Sequence, residues 1–369
     1  MNRPTFALAL MASLVPSMAA AQVDCLHVTP GVERPFLVGS RYVGYYGSHD
    51  LNLASTEVKR AVILVHGLHR HAADSYATLV TSACVAEGQQ FTIHPTRETI
   101  LLAPHFLRDD DDRPSDNYHY WENDDHWVGG YHSEVSPTVS SYGVIDAFIN
   151  HLVGRRSRLD LKRRYPNLEM IVVAGHSAGG QFTHRYAATN SRDGNLAGIR
   201  IRYVVANPSS YLYLDDQRPR FDGSGGFGVP YCAGFSCPWI WSPGFAGAPV
   251  CTGSYNDWRY GLVDLNDYAG AIGAATIRDR LVNRNVTVLV GTEDNDPHAD
   301  FLDISCPGKL QGPNRYDRGH NFLDYMDERF PGHRHWIVNV DGVEHNEFEM
   351  FVAPVGGAGT GAAILFYDF

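Results

Sequence analysis

A glycine-rich pentapeptide around Ser177 carries the clearest chemical signal in the chain. The run Gly175-His176-Ser177-Ala178-Gly179 has the pattern Gly-x-Ser-x-Gly and follows a β-branched apolar stretch. Such a pattern is typical of a strand that turns sharply into a helix, where only small neighbours leave room for the serine's unfavourable backbone angle. We therefore predict that the Ser177 hydroxyl is an exposed nucleophile and that the Ala178 amide faces any oxyanion formed there.

A serine becomes a good nucleophile only when a base removes its proton and an acid orients that base. Two later strand ends supply these groups. Asp294 follows the apolar stretch 286–290, and His345 follows the one that ends at Val340. We predict that Asp294 and His345 complete a triad with Ser177. The neighbouring alternatives are Glu293 and Asp296 for the acid, and His298 and His320 for the base.

Apolar strand patterns alternate with helical patterns along most of the chain. The predicted strands are 41–46, 61–65, 99–103, 169–174, 201–206, 286–290 and 336–340, and the predicted helices are 72–86, 140–153, 181–189 and 274–281. This alternation favours an α/β fold with a doubly wound, mostly parallel sheet.

Two polar loops follow predicted strands. The first contains three histidines (His66, His69 and His71), which we interpret as a polar rim, since no carboxylate lies at ligand spacing before Asp74. The second contains four adjacent aspartates at 109–112, which we interpret as solvated because calcium loops space their ligands. We predict no metal site. Trp121 in the second loop is expected to bind substrate, because ligand crevices form where strands end.

The regular pattern breaks between residues 207 and 267. Glycine, proline and aromatic residues crowd this stretch, together with three cysteines. We interpret it as an insertion or cap over the sheet edge, with most of its aromatic side chains buried in a core of its own. A minority should line the crevice above Ser177, and Tyr211 and Trp258 are the candidates.

The amino-terminal segment is typical of a secretory signal peptide. Arg3 is followed by an apolar run at 6–15 and by the small residues 19–21. Residues 22–369 are expected to form one soluble domain, secreted or periplasmic, without a membrane span. The net charge of −11 and the scarcity of basic runs argue against nucleic-acid binding.

All six cysteines follow the predicted signal peptide. An even number in an exported chain predicts disulfides, and fifteen pairings are formally possible. We favour Cys232–Cys237, which is local, together with Cys25–Cys84 and Cys251–Cys306. A zinc site is disfavoured because no pair has Cys-x-x-Cys spacing.

Taken together, His66-Gly67, the pentapeptide, Asp294 and His345 resemble the α/β-hydrolase superfamily over most of the chain. More narrowly, residues 175–181, 185–187, 207–211 and 255–258 resemble secreted hydrolases related to polyhydroxyalkanoate depolymerases and poly(aspartic acid) hydrolases. The resemblance implies that the loop after strand 61–65 supplies a second oxyanion donor, for which Leu68 is the candidate. It also implies hydrolysis of esters or amides, without fixing the substrate.

The expected reaction is acyl transfer to water on a small or polymeric ester or amide, peptides included, with no cofactor. Two alternatives remain open at this stage. One is a non-catalytic binding protein that retains the fold. The other is a metal-dependent hydrolase that uses the histidine loop and the aspartates, which chelators would inhibit.

Overall fold

The computed structural model describes residues 25, 31–88, 94–155, 161–196, 198–221, 223–230, 254–352 and 361–367. Its strands are β1 (Arg34–Val38), β2 (Arg41–Gly47), β3 (Arg60–Val65), β4 (Thr99–His105), β5 (Met170–His176), β6 (Arg200–Ala206), β7 (Arg218–Pro219), β8 (Phe227–Gly228), β9 (Val286–Gly291) and β10 (His335–Val340). Its α-helices are α1 (Ala72–Glu87), α2 (Pro95–Glu98), α3 (Asp124–Gly129), α4 (Ser141–Val153), α5 (Ala178–Thr189), α6 (Asp267–Gly270), α7 (Ala274–Asn283), α8 (Cys306–Lys309), α9 (Arg315–Arg329), α10 (Glu347–Val352) and α11 (Gly361–Phe366). A short 3-10 helix lies at Ser254–Asn256.

The main sheet has eight strands in the order β1-β2-β4-β3-β5-β6-β9-β10. β2 pairs antiparallel with β1 and with β4, and each of the remaining neighbours pairs in parallel. The central strands β3 and β5 are buried along their whole length, which explains their continuous apolar sequences. The predicted mostly parallel sheet is therefore confirmed.

Residues that alternate along the central strands enter two separate hydrophobic cores. Ile63 and Val173 join the core formed with α4, α5, α7 and α9, whereas Leu64 and Val172 join the core formed with α1, α10 and α11. Both faces of the sheet are thus covered by helices, as expected for a doubly wound fold.

Each predicted strand and helix has a counterpart in the structure, with ends that differ by up to three residues. The elbow helix, predicted to begin at residue 181, begins at Ala178. Strand β1, helix α9 and several elements of two to six residues were not predicted. α9 carries many charges, and its apolar contacts come mainly from Phe322, Tyr325 and Met326. No helix in the described residues is long and apolar enough to cross a membrane.

The domain boundaries remain predictions. Residues 1–21 lie outside the described residues, as do 231–253 within the predicted insertion. The parts of the insertion that are described contain the small β7–β8 pair and the 3-10 helix.

The predicted disulfide between Cys25 and Cys84 is present and ties the amino-terminal segment to α1. Cys306 is also disulfide-bonded. Cys232, Cys237 and Cys251 lie outside the described residues, so the other two pairings remain predictions.

Replacing both Cys25 and Cys84 with serine should lower the free energy of unfolding by about 2–4 kcal/mol, because the bridge closes a 59-residue loop in the unfolded chain. The measurement is equilibrium denaturation under non-reducing conditions, which leaves the disulfide of Cys306 intact. An unchanged midpoint and slope would contradict a stabilising role for this bridge.

Candidate active site

Ser177 lies at the junction between β5 and α5 with φ at 57°, in the left-handed region that non-glycine residues avoid. The glycines around it permit this turn. A Cβ on Gly175 would lie 2.2 Å from the Gly179 oxygen, and one on Gly179 would lie 2.0 Å from the Val65 oxygen. Strand β3, strand β5 and helix α5 therefore approach closely enough to hold the serine in a strained conformation.

The loop after β3 lies beside the serine. A Cβ built on Gly67 would be 3.8 Å from the Ser177 Cβ. His66 fixes this loop, because its Nδ1 donates to the Gly67 oxygen at 2.9 Å and its Nε2 accepts from the Phe106 amide at 3.0 Å. Burial lowers the pKa of His66 to about 3, so the ring is neutral. With both ring nitrogens engaged, His66 is a structural residue of the core.

Arg70 fixes the peptide group between Leu68 and His69. Its guanidinium donates to the Leu68 carbonyl at 3.0 Å and also bonds Asp111 in the loop after β4 and Asp124 at the start of α3. Asp111 is thus an ion-pair partner, which corrects the prediction that the whole acidic run is simply solvated. The Leu68 carbonyl is held by Arg70, and the residue lines the cavity next to the serine.

Ser177, His345 and Asp294 form a continuous hydrogen-bonded chain. The His345 Nε2 lies 2.9 Å from the Ser177 Oγ, and its Nδ1 lies 2.7 Å from Asp294 Oδ2. Burial lowers the pKa of His345, while the hydrogen bond to Asp294 raises it and the nearby Arg315 lowers it again. The imidazole is therefore neutral at pH 7 and able to accept a proton.

The Asp294 carboxylate is buried and held from its other side by Arg315. The Arg315 Nη1 donates to Asp294 Oδ1 at 3.3 Å, its Nε to the Ser209 Oγ at 3.0 Å, and its Nη2 to the Asp300 carbonyl at 2.9 Å. Both charged side chains have lost nearly all contact with water. Since an unpaired buried charge is very unfavourable, this ion pair fixes the carboxylate that orients His345.

The neighbouring alternatives to the acid and the base lie elsewhere. Glu293 and Asp296 are exposed, and Asp296 accepts the His298 amide instead of touching His345. His320 bonds Asn339 on β10. Ala178 is the first residue of α5, so its amide has no partner within the helix. That amide remains the candidate for one oxyanion donor, beside the amide of Leu68.

A cavity of about 420 Å³ opens above Ser177 and His345. The loop 67–71, the first turn of α1 and residues 299–301 form much of its wall, and Arg315 and Glu347 complete it. His69 and His71 belong to this lining, which agrees with their interpretation as a polar rim. Phe301 stands at the cavity with 62% of its surface exposed.

The three aromatic residues expected to bind substrate are instead buried in the core, and none of them is among the described residues that line this cavity. Tyr211 stacks on Phe322 of α9, with ring centroids 4.8 Å apart. The indole nitrogen of Trp258 donates to the Gly129 carbonyl, and that of Trp121 donates to the Tyr131 carbonyl. Both indole nitrogens find partners inside the protein, and all three rings are buried away from the cavity, so the prediction of substrate contacts is wrong for all three.

Sequence reasoning missed Arg315, Phe301 and Glu347. Arg315 begins α9 directly after the N-cap Asn314, and the unrecognised helix concealed it. Glu347 lies two residues beyond His345 and is the first residue of α10, a short helix that the sequence pattern does not predict. No sequence pattern distinguishes Phe301 from a core residue.

One cluster of side chains away from the cavity consists of residue types that bind metal ions. Glu122, His126 and Glu134 each offer one ligand atom, and these atoms lie within 4.8 Å of one another. Both glutamates are exposed, and the pairs from His126 Nδ1 to their oxygens are 3.4 and 3.8 Å long. The cluster is therefore equally consistent with ordinary surface ion pairs.

No protein-family model and no curated protein matches the sequence. Solved structures do match. One is LpqC, a poly(3-hydroxybutyrate) depolymerase from Bordetella parapertussis, with a TM-score of 0.55 and 16% identity over 94% of each chain. Another is poly(aspartic acid) hydrolase-1 from Sphingomonas sp. KT-1, with a TM-score of 0.52 and 19% identity over 87% of this chain and 95% of that one. The chain shares with them the α/β-hydrolase fold predicted from its sequence.

Proposed function

We propose that this protein is a serine hydrolase that cleaves ester bonds through an acyl-enzyme intermediate. The observation that carries the proposal is the hydrogen-bonded chain from Asp294 through His345 to Ser177, which opens on a cavity. Nucleophile, acid and base follow three different strand ends of an α/β sheet, and they occur along the chain in the order that this fold uses.

The reaction would begin when His345 Nε2 takes the proton of Ser177 as the serine oxygen attacks the ester carbonyl. Asp294 accepts the Nδ1 proton in a hydrogen bond and stabilises the imidazolium. The amides of Leu68 and Ala178 would donate to the oxyanion. His345 then returns the proton to the departing alcohol, and water activated by the same histidine releases the acid and regenerates Ser177.

The charges of the cavity favour an uncharged ester over an anionic substrate. Asp74, Asp300 and Glu347 line it, while the guanidinium groups of Arg70 and Arg315 are bonded to other carboxylates. The pKa of Glu347 is raised to about 7, chiefly by burial and also by the neighbouring Asp74, against the opposing effect of a hydrogen bond from Ser75. The carboxylates of the cavity would repel the negative charges of a polyanion. The cavity therefore suits a poly(3-hydroxybutyrate)-like or small neutral ester better than poly(aspartic acid).

We also propose that the protein is exported, with residues 1–21 removed and 22–369 forming one domain with an insertion at 207–267. The Cys25–Cys84 disulfide supports this, because such bridges persist in oxidising compartments. The peptides in the substrate panel below test whether the protein also cleaves amide bonds.

Two other functions receive less support. A non-catalytic binding protein would not require a hydrogen-bonded triad beside strained Ser177. A metal-dependent hydrolase built on the histidine loop conflicts with His66, whose two nitrogens are already bonded. Sensitivity to chelators, measured in the same assay, distinguishes this last class.

Ser177→Ala should abolish labelling by a fluorophosphonate probe and lower kcat for ester hydrolysis by at least about 10³-fold, since only binding and the oxyanion donors remain. Peptide mapping locates the labelled residue, and a panel of short esters, poly(3-hydroxybutyrate) and peptides measures turnover. Circular dichroism checks the fold. Labelling of another residue, or retained turnover in the variant, would sink the mechanism.

The pH profile of kcat/KM should rise with an apparent pKa below the ordinary histidine value of about 6.5. Only neutral His345 can accept the serine proton, and burial lowers its pKa, so activity is retained at pH 7 and is lost as the pH falls through that lowered pKa. Asp294→Asn removes the carboxylate that raises the pKa of His345. The acid limb of the pH profile, where activity is lost on acidification, should therefore move to lower pH while kcat falls. Asp296→Asn is the matched control and should leave both unchanged.

Arg315→Met should lower kcat by about 10–100-fold, because the Asp294 carboxylate loses the ion pair that positions it. The acid limb of the pH profile should also move to higher pH, since Arg315 lowers the pKa of His345. Arg329 lies on the same helix as Arg315 and forms an ion pair with Asp215 near the surface. Arg329→Met removes that pair and serves as the control. A general loss of stability without a shifted limb would argue for a purely structural role.

A further inference from the structure

Phe301 combines two features that are unfavourable in the free protein. Its φ is 56°, in the left-handed region, where a bulky non-glycine residue is strained. Its aromatic side chain is 62% exposed to water and belongs to neither hydrophobic core. The next residue, Leu302, is buried, so the chain must turn inward here. Glycine or asparagine would make that turn with less strain, which leaves the aromatic ring unexplained by folding.

The backbone on both sides of this ring is fixed by the residues that hold the triad acid. The Ser209 hydroxyl donates to the Phe301 carbonyl at 3.3 Å, and Arg315 donates to the Asp300 carbonyl at 2.9 Å while also bonding Asp294. The backbone that carries the Phe301 ring therefore has a set position relative to the acid that orients His345.

A second ring contacts Phe301 at the wall of the cavity. His69 lies edge-on to it, with ring centroids 5.0 Å apart and planes at 87°. His69 follows Leu68, the candidate oxyanion donor, so one ring comes from the loop after β3 and the other from the loop after β9. Both line the cavity that contains Ser177. They form an aromatic corner, which we define as Phe301 with His69.

We propose that this aromatic corner binds an apolar or aromatic group attached to the scissile ester and so determines substrate specificity. The inference rests on the proposed ester hydrolysis and names the substrate class of the same site. When a substrate group covers the exposed ring, apolar surface is removed from water and the free energy of binding becomes more favourable. Because the backbone is already fixed, little conformational entropy is lost on binding. The carboxylates on the remaining wall restrict that group to one without negative charge.

The test compares esters that differ only in a phenyl group. Propyl acetate, 3-phenylpropyl acetate and propyl 3-phenylpropanoate place the ring on neither side, the alcohol side or the acyl side, and a pH-stat follows each. Phe301→Asn keeps a residue that tolerates positive φ but removes the ring. It should lower kcat/KM for at least one phenyl ester about tenfold more than for propyl acetate, mainly through KM. Phe301→Tyr retains the ring and should restore the preference.

Stability gives a readout that separates binding from folding. The melting temperature of Phe301→Asn should be unchanged or raised by about 1–2 °C, because strain is relieved. Phe348→Ala, which removes an exposed ring outside the cavity lining, should leave the phenyl preference intact. Equal losses on all three esters, or a lowered melting temperature in Phe301→Asn, would overturn the proposal.

Binding without turnover distinguishes failure of this inference from failure of the proposed function. Calorimetry with Ser177→Ala should detect tighter binding of N-propyl-3-phenylpropanamide or of N-(3-phenylpropyl)acetamide than of N-propylacetamide, and the added Phe301→Asn change should abolish the difference. If the wild-type protein hydrolyses none of the esters but this difference appears, the proposed function fails and the aromatic corner stands. If esters are hydrolysed and no difference appears on binding or turnover, the corner is refuted while the hydrolase remains.

Discussion

The buried ion pair between Asp294 and Arg315 is the interaction on which the candidate site depends. Two charges withdrawn from water are tolerated only when each is well paired, and removal of either one leaves an uncompensated charge inside the protein. Arg315 also bonds Ser209 after β6 and the Asp300 carbonyl after β9. One side chain at the start of α9 therefore locks two strand-end loops together and sets where the acid meets His345.

Much of the fold could be predicted from the sequence because its signals are local. The apolar strands, the helical patterns and the Gly-x-Ser-x-Gly turn are each contained in a short continuous stretch of sequence, and all have counterparts in the structure. The spatial meeting of Ser177, Asp294 and His345 followed from one further rule, that parallel strands end at the same edge of a sheet.

The errors arose where partners are distant in the sequence. Tyr211 has its amide bonded by Gln311, one hundred residues away, and Trp258 donates to Gly129. Neither partner could be identified from composition, so a dense group of aromatic residues gave no indication of which rings face the cavity. Arg315 was missed for the same reason, because its importance comes from long-range contacts and not from its neighbours.

Backbone strain is concentrated at the cavity. Of the five non-glycine residues with positive φ in the described part of the chain, three line it: Arg70, Ser177 and Phe301. A fourth, Asn207, accepts the Gly291 amide and donates to the Glu344 carbonyl, which joins the ends of the strands that carry the acid and the base. Strained conformations persist only where surrounding contacts over-determine them. Because rigid interlocked loops surround this cavity on several sides, it is pre-organised, and a substrate can bind with little loss of conformational entropy.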